Sequence, residues 1–310
     1  GCGMAIIGMG KLGGREMTAA SDLDLIFVYA TPADGARSDG AKPLAAPQYF
    51  ARLSQRLIIA LTSPTAEGQL YEADMRLRPS GKAGPIAVSL QSFTQYQREE
   101  AWTWEQMAIT RARPIVGPAP LLDAIAAVLR ERLIRGRDPR TLVRDIAEMR
   151  EKMAHGHPTG SIWEVKHVRG GLIDIEFIAQ YLQLLHAHAH PCVLSVTTVD
   201  ALDRLAGAGL LDPATHADLR EALALWQAVQ ARLRLTLAGA VRPATGTAAA
   251  APRALKRAVR GLMGLDFDAL VDRMTEASAR VQAIFARLIE EPAAASETAP
   301  LIPTDGPRVS

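Results

Sequence analysis

An α+β fold is what this sequence predicts, with a small mixed sheet in residues 1–117 and an all-α helical bundle in residues 118–291. Two short apolar runs, Met4–Ile7 and Leu23–Tyr29, contain many β-branched or aromatic residues and predict two strands. Past residue 118, apolar residues recur at helical spacings, and no convincing strand pattern interrupts them. The low-complexity composition of residues 292–310 predicts a disordered tail.

The other elements of the first region follow in chain order. Thr31–Pro47 is rich in Pro, Gly, Ala and Asp, which is typical of a surface loop. The apolar spacing of Tyr49–Leu61 predicts a helix, and Leu70–Leu77 predicts a third strand. Ser89 precedes a further helical pattern, and its hydroxyl suits the N-cap position there.

The second region contains a series of amphipathic helical patterns. Their apolar residues recur three and four positions apart, so that each helix has one face for a core. The predicted helices are Leu121–Leu133, Thr141–Met153, Leu172–Leu185, Val199–Leu205, Ala217–Leu237 and Phe267–Ile289. Ala240–Pro252 is rich in Ala, Thr and Pro and is interpreted as a linker between the last two.

The composition is that of a folded globular protein. Of the 310 residues, 48% are hydrophobic and 22% are charged, which excludes a disordered chain and suffices for about two domains. Lys and Arg number 35 against 33 for Asp and Glu, a net charge of +2. This balance gives no bulk attraction for a polyanion, although it leaves room for a local basic patch. We therefore expect no nucleic acid among the partners.

Cysteine usage and hydropathy indicate the compartment. Cys2 and Cys192 lie far apart without metal-ligand spacing, which is typical of a reducing cytoplasm. No apolar run approaches the ~18 residues of a membrane span, so no membrane contact is expected. A signal-peptide pattern is also missing from the first residues. Because a strand begins almost immediately, we expect a piece of a longer protein, truncated on its N-terminal side.

The segment Gly8–Gly13 matches the GxGxxG pattern of dinucleotide-binding folds. That fold needs a helix and then a parallel strand, a crossover of a dozen or more residues. Only Gly14–Ser21 separates the glycines from the acidic start of the next strand, which is too short for this helix. The pattern is therefore interpreted as a tight turn between neighbouring strands, whose backbone N–H groups suit phosphate oxygens.

Two aspartates follow this turn at the start of the second strand. Residues i and i+2 of a strand share a face, so Asp22 and Asp24 are predicted to project together while Leu23 enters the core. Paired carboxylates repel each other unless a cation lies between them, and Mg²⁺ prefers such oxygen ligands. The structural alternative is a pair of solvated aspartates.

A third carboxylate, Asp74, lies in the third predicted strand. Strand alternation places Asp74, Arg76 and Arg78 on one face, an arrangement suited to a metal ion and a triphosphate. The alternative is an exposed edge-strand face with an ion pair across it.

These segments carry a family resemblance. GMGKLGGREMTAASDLDLIFVY resembles the signature of the nucleotidyltransferase superfamily that includes DNA polymerase β. More narrowly, it resembles the glutamine synthetase adenylyltransferase and adenylyl-removing family. Further matches, in the family's order, are YEADMRLRPSGKAGP, EAWTWEQMAITRARPIVG and RGGLIDIEFIAQYLQL. RLRPSG followed by EAWTWEQ is more similar to the C-terminal, adenylylating half.

The resemblance implies a polymerase β-like nucleotidyltransferase domain and a defined reaction. That reaction transfers AMP from ATP to a tyrosine hydroxyl of glutamine synthetase, with two Mg²⁺ ions as expected cofactors. Regulation by glutamine and by the PII signal protein belongs to the full-length family enzyme. Asp22 and Asp24 match the family's metal-binding pair, and Asp74 matches its third acid.

Further site residues are assigned on the chemistry that this reaction needs. Gly13, Gly14 and Ser21 are predicted to donate backbone or hydroxyl hydrogen bonds to phosphate. The cations predicted to neutralise the nucleotide are Lys11, Arg76 and Arg78. A second group opens a predicted helix, where acidic side chains suit the helix dipole, and is expected to dock the helical domain or to contact substrate. It consists of Gly170, Gly171, Asp174 and Glu176.

Other functions stay open at this point. The chain could be the deadenylylating half, which removes AMP with phosphate and releases ADP. A related uridylyltransferase of PII or an RNA-tailing enzyme is a further alternative. The former would carry a hydrolytic His-Asp motif that the sequence lacks, and the latter a basic face that the net charge does not indicate. A regulatory module that only docks would predict a broken acid triad, whereas Asp22, Asp24 and Asp74 are all present.

Overall fold

The computed structural model describes residues 2–19, 21–33, 35–69, 71–236 and 253–298. It confirms the α+β class, with a small mixed sheet followed by helices. In the parts of the chain just named, no strand occurs after residue 116. The predicted linker Ala240–Pro252 lies outside the described residues.

The sheet combines antiparallel and parallel pairs around its second strand. Its strands are β1 (Gly3–Gly8), β2 (Leu23–Ala30), β3 (Ala73–Asp74), β4 (Ala87–Ser89) and β5 (Arg113–Val116). β1 pairs antiparallel with β2 on one side and with β5 on the other. β2 pairs in parallel with β3 at its beginning and with β4 at its end. The antiparallel β1–β2 pair confirms that the glycine pattern does not belong to a dinucleotide-binding fold.

Strand β2 is buried on both faces. Ile26 and Val28 point into the large core shared with the helices, whereas Phe27 and Tyr29 belong to a smaller core on the opposite face. Phe50 closes this smaller core by stacking on Tyr29, with ring centroids 4.5 Å apart. A strand with two buried faces is fixed in position, and its N-terminal end carries Asp24.

Four helices lie among the strands of the first region. They are α1 (Gly10–Gly13), α2 (Ala46–Thr62), α3 (Leu90–Glu99) and α4 (Thr103–Ile109). The predicted cap is confirmed, because the Ser89 hydroxyl accepts the N–H of Ser92 at 3.0 Å. The sequence pattern did not indicate β4, α4 or β5, which are short and lack a clear period.

The second region consists of helices that share the large core. They are α5 (Ala119–Leu133), α6 (Pro139–Gly156), α7 (Leu172–His186), α8 (Thr198–Gly207), α9 (Pro213–Thr236), α10 (Arg253–Ala258), α11 (Phe267–Phe285) and α12 (Glu291–Thr298). α5 packs against β1 and β5 of the sheet. One hydrophobic cluster runs from Ala5 of the sheet to Ala293 of the last helix. The two regions are therefore joined by a continuous core.

Two predicted elements need correction. The third strand is only Ala73–Asp74, because the chain turns directly afterwards and Arg78 bonds to carbonyl oxygens within that turn. Residues 292–298 of the predicted disordered tail are instead helical, as part of α12, and Ala293 is buried against the core. An alanine-rich segment with a buried contact forms a helix more readily than its low complexity suggested.

Candidate active site

The glycine-rich segment forms the short helix α1 between β1 and β2. Gly10 has a φ of +51°, and a Cβ at this position would overlap a carboxylate oxygen of Asp24. Only glycine combines this left-handed conformation with so close an approach. The segment thus forms a cradle against the Asp24 carboxylate.

Gly13 and Gly14 serve packing within this segment. A Cβ on Gly13 would overlap the backbone oxygens of Gly8 and Arg111, so only glycine fits there. The N–H groups of Gly13 and Gly14 donate to the carbonyls of Met9 and Gly10 at 2.8 and 3.0 Å. In this conformation both N–H groups are used within the protein, and their role in binding phosphate stays a prediction.

The three predicted acids come together at the beginning of β2. Asp24 and Asp74 are direct partners in the parallel β2–β3 register. Asp22 is exposed one position before the strand, and the buried Leu23 separates it from Asp24. The pKa of Asp24 is raised to about 6, mainly by burial and next by the negative charges of Asp74 and Asp22. The site therefore concentrates negative charge that is only partly compensated.

Asp74 has a partner within its own turn. The carboxylate accepts the backbone N–H of Arg76 at 2.8 Å and its guanidinium at 2.5 and 2.7 Å. Burial acts to raise the pKa of Asp74, but the hydrogen bonds and charge of Arg76 outweigh it and lower the pKa. The Arg78 guanidinium donates to the carbonyls of Met75, Lys82 and Gly84. Arg76 is thus near the acids, whereas Arg78 holds the turn.

The chemistry of these donors fits a divalent cation. In the ranges that the structure describes, no three His, Cys, Asp or Glu side chains converge on a preformed metal-binding point. Asp22, Asp24 and Asp74 nevertheless offer carboxylate oxygens. Burial, and after it the charges of Asp74 and Asp22, raises the pKa of Asp24, and a cation would favour its ionised form. The two Mg²⁺ ions and their ligands stay a prediction.

Helix α9 reaches this site from the helical region. Arg234 donates to the hydroxyls of Ser21 at 3.0 Å and of Thr18 at 2.7 Å. The Lys11 ammonium donates to the Gln230 side chain. Ser21, predicted to bind phosphate, is buried in this contact. Sequence reasoning missed Gln230 and Arg234, since they belong to an ordinary helical pattern without a motif.

A buried arginine joins the two regions nearby. Arg111 lies between two carboxylates, pairing with Glu16 of the glycine-rich segment and with Glu176 of α7 at 3.1 Å. Glu16 also accepts the N–H of Thr198, at the start of α8, at 2.8 Å. Burial alone would lower the pKa of Arg111, but the charges of Glu176 and Glu16 outweigh it and raise the pKa. Glu176 therefore makes a contact between the sheet and the helices.

The other predicted residues of this helix start lie inside the helical region. Asp174 is fully buried, pairs with the buried Arg150 and accepts the N–H of Gly170 at 2.5 Å. Gly170 has a φ of +72°, and a Cβ there would overlap the Ser278 carbonyl. A Cβ on Gly171 would lie 2.6 Å from the Val165 carbonyl. These residues hold the helices together.

The fold and the site together define a class. A small mixed sheet with an acid cluster beside a glycine-rich segment, followed by a helical domain, is the arrangement of an α+β nucleotidyltransferase. None of the described helices is both long and apolar enough to cross a membrane.

Comparisons with known proteins narrow this class to a family. The family model for glutamate-ammonia ligase adenylyltransferase matches residues 1–127, and that for the GlnD PII-uridylyltransferase matches residues 140–240. Bifunctional glutamine synthetase adenylyltransferase/adenylyl-removing enzymes from Rhodopseudomonas palustris and Bradyrhizobium diazoefficiens are 47% and 46% identical over 92% and 94% of the chain. One from Xanthobacter autotrophicus is 48% identical over 94% of the chain. The chain belongs to the glutamine synthetase adenylyltransferase/adenylyl-removing family, and it spans only 28–29% of the length of these three relatives.

Proposed function

We propose that this chain transfers AMP from ATP to a tyrosine hydroxyl of glutamine synthetase. The observation that carries the proposal is the acid cluster of Asp22, Asp24 and Asp74, gathered beside the glycine cradle at Gly10. An intact cluster argues against a module that only docks. The names of the relatives, which join adenylyl transfer and adenylyl removal to glutamine synthetase, support the substrate.

The proposed reaction exchanges one phosphorus–oxygen bond for another. The tyrosine oxygen forms a bond to the α-phosphorus of ATP, the bond to the β-phosphate oxygen breaks, and pyrophosphate leaves. The proton of the phenol, whose pKa in water is ~10, passes to a carboxylate of the cluster. Asp22, Asp24 and Asp74 would hold two Mg²⁺ ions. When bound, these ions supply charge neutralisation for the phosphates and acidify the attacking hydroxyl.

The surrounding residues orient the reactants. Gly10 keeps the Asp24 carboxylate in place, since no other residue allows the backbone to approach it so closely. The exposed Arg76 pairs with Asp74, and Arg76 and Lys11 are the cations that we assign to neutralising charge on the nucleotide. We assign residues 1–117 to a nucleotidyltransferase domain and residues 118–291 to a helical domain. The two proposed domains share one hydrophobic core.

The same proposal includes the setting of the reaction. We place the chain in the cytoplasm, where glutamine synthetase would be its protein partner and where both free cysteines, Cys2 and Cys192, would stay reduced. Glutamine and the PII signal protein are proposed as regulators of the full-length enzyme. RLRPSG followed by EAWTWEQ supports the adenylylating half.

Transfer of label from ATP tests this function. The chain is mixed with unmodified glutamine synthetase, Mg²⁺ and ATP labelled in the α-phosphate. We expect label on the synthetase with the unaltered chain, and a loss of about a hundredfold or more with Asp24→Asn, because a group at the reacting centre is removed. Asp39→Asn is the matched control, since Asp39 is an exposed aspartate of the same region outside the cluster.

Each outcome has a defined meaning. Label that persists with Asp24→Asn contradicts the assignment of the acids. Phosphate-dependent release of ADP from adenylylated synthetase, without forward transfer, places the chain in the removing half. Neither activity from a folded chain contradicts the proposed reaction for this piece of the protein.

A further inference from the structure

The C-terminal end of α9 brings a cation to the segment that directly precedes Asp22. Arg234 uses its Nη1 atom for the hydroxyls of Thr18 and Ser21 and for the carbonyl of Ala19, and Ser21 directly precedes Asp22. All of these partners are neutral. The guanidinium thus lies beside the acids without forming an ion pair among the residues that the structure describes.

A second cation lies close to Arg234. The Lys11 ammonium, which is half-buried, donates to the neutral side chain of Gln230, one turn before Arg234 on the same helix. The pKa of Lys11 is lowered to about 8, mainly by burial and next by the charge of Arg234, while the charge of Glu176 acts to raise it. The Lys11 ammonium and the Arg234 guanidinium each donate to neutral partners, so both cations keep the capacity to bind an anion.

A third cation belongs to the segment between α6 and α7. Lys166 is exposed, and its charge acts both on Lys11, whose pKa it lowers, and on Asp24, whose pKa it also lowers. Lys166 is therefore close enough to both side chains for its charge to act on them. The contacts of Arg234 with Thr18 and Ser21, and of Lys11 with Gln230, place the other two cations between α9 and the segment that precedes β2.

A purely structural role would not need these charges. Neutral donors could also form the hydrogen bonds that Arg234 makes to Ser21 and Thr18. Guanidinium and ammonium groups are the side chains that bind phosphate oxygens, so their charge suits a polyphosphate.

We propose that the helical region supplies part of the nucleotide site, with Arg234 and Lys166 joining Lys11 to bind the triphosphate of ATP beside the acid cluster. This inference rests on the proposed function, because it concerns the same nucleotide. It assigns to the helices a direct part in substrate binding. The triphosphate site is complete only while α9 is docked on the glycine-rich segment.

Calorimetric titration of the 310-residue chain with ATP and Mg²⁺ tests the inference without any protein substrate. Arg234→Gln keeps a hydrogen-bond donor but removes the charge, and we expect it to weaken ATP binding roughly tenfold or more. Arg232→Gln is the matched control, since Arg232 is an exposed arginine two residues earlier on the same helix. It should change the affinity by less than about twofold.

Two further variants separate charge from folding. Arg234→Lys restores the charge, and we expect it to recover much of the lost affinity. Lys166→Gln alters an exposed side chain, so it should leave the unfolding temperature unchanged and still weaken ATP binding. Adenosine, which lacks phosphates, should bind all variants equally.

The inference is overturned if Arg234→Gln and Lys166→Gln bind ATP as tightly as Arg232→Gln does. It is also overturned if adenosine and ATP bind the unaltered chain with equal affinity, or if ATP does not bind. If ATP binding depends on Arg234 but no label reaches glutamine synthetase, the triphosphate site stands and the proposed protein substrate falls.

Discussion

The aspartates of the helical region and of the sheet differ in how their negative charge is balanced. In the helical region, Asp174 is fully buried and is matched by Arg150 and by the N–H of Gly170. At the beginning of β2, Asp24 is half-buried beside two further carboxylates, and its pKa is raised to about 6. The first arrangement is satisfied within the protein, whereas the second leaves its negative charge only partly compensated.

The contrast separates structural from functional acids. A satisfied buried pair stabilises one arrangement of the helices, and its removal leaves a stranded charge. An under-compensated cluster costs stability, and it persists where a ligand restores the balance. Glycines precede Asp174 as well as Asp22 and Asp24 in the sequence, so a glycine-rich segment followed by an acid does not distinguish a structural aspartate from a functional one.

The largest expected effect concerns the satisfied pair. Asp174→Ala leaves the Arg150 guanidinium buried without its partner, and we expect the free energy of unfolding to fall by about 3–5 kcal/mol. Urea denaturation followed by circular dichroism measures this loss. Asp272→Ala, an exposed aspartate of α11, is the control and should change stability by less than about 0.5 kcal/mol. Equal losses in both variants would remove the distinction drawn here.

A smaller effect of opposite sign is expected at the cluster. The pKa of Asp24 in the folded chain lies above its ordinary value, so ionisation above pH ~6 disfavours the folded state. Asp24→Asn should therefore raise the free energy of unfolding at pH 7.5. We expect a gain of about 1 kcal/mol, a value that allows for solvent screening of the half-buried carboxylate. The gain should disappear at pH 4, where the carboxyl is largely protonated in the folded chain.

Asp74→Asn provides the contrast within the cluster. The pKa of Asp74 is lowered, because the stabilising contacts of Arg76 outweigh the effect of burial. This variant should lose stability at pH 7.5 rather than gain it. Denaturation of both variants at the two pH values decides the matter, and a loss of stability in Asp24→Asn at pH 7.5 would contradict the interpretation.

The smallest effect is a proton taken up on binding. The pKa of Lys11 is lowered to about 8, so part of the lysine is neutral at pH 8, and phosphate groups nearby would raise the pKa again. ATP binding at pH 8 should take up as much as about half a proton, and affinity should fall as the pH rises through this value. Calorimetry in HEPES and in Tris, whose ionisation enthalpies differ, measures the uptake. Lys11→Arg, which stays charged, should abolish it.

Local sequence patterns predicted the helices well because each buries one face on a shared core. Leu172–Leu185 is found as Leu172–His186, and the Ser89 cap is found as expected. The strand predicted over Leu70–Leu77 is wrong for most of its length. Asp and Arg also alternate in a turn, as they do here, where Arg76 donates to the Asp74 carboxylate. A pattern of period two does not reveal whether a neighbouring strand is present.

The sequence pattern singled out the candidate acids and the cations Lys11, Arg76 and Arg78, but it gave no signal for Arg234. Asp22 and Asp24 lie two residues apart, and strand geometry alone relates them. Arg234 lies more than two hundred residues from Ser21, and Arg111 reaches both Glu16 and Glu176 only because the helices fold back onto the sheet. Contacts of this kind depend on tertiary packing, which no local spacing encodes.

The ion triad of Arg111 with Glu16 and Glu176 has a consequence for engineering. A sheet region cut away from its helices would keep the Arg111–Glu16 pair, but it would expose Arg111, remove its second carboxylate Glu176 and deprive Glu16 of the Thr198 N–H. Moving the sheet region into another protein therefore requires the helices as well. A shortened version of the protein should end after the helices of the second region, since a cut near residue 117 would divide the common core.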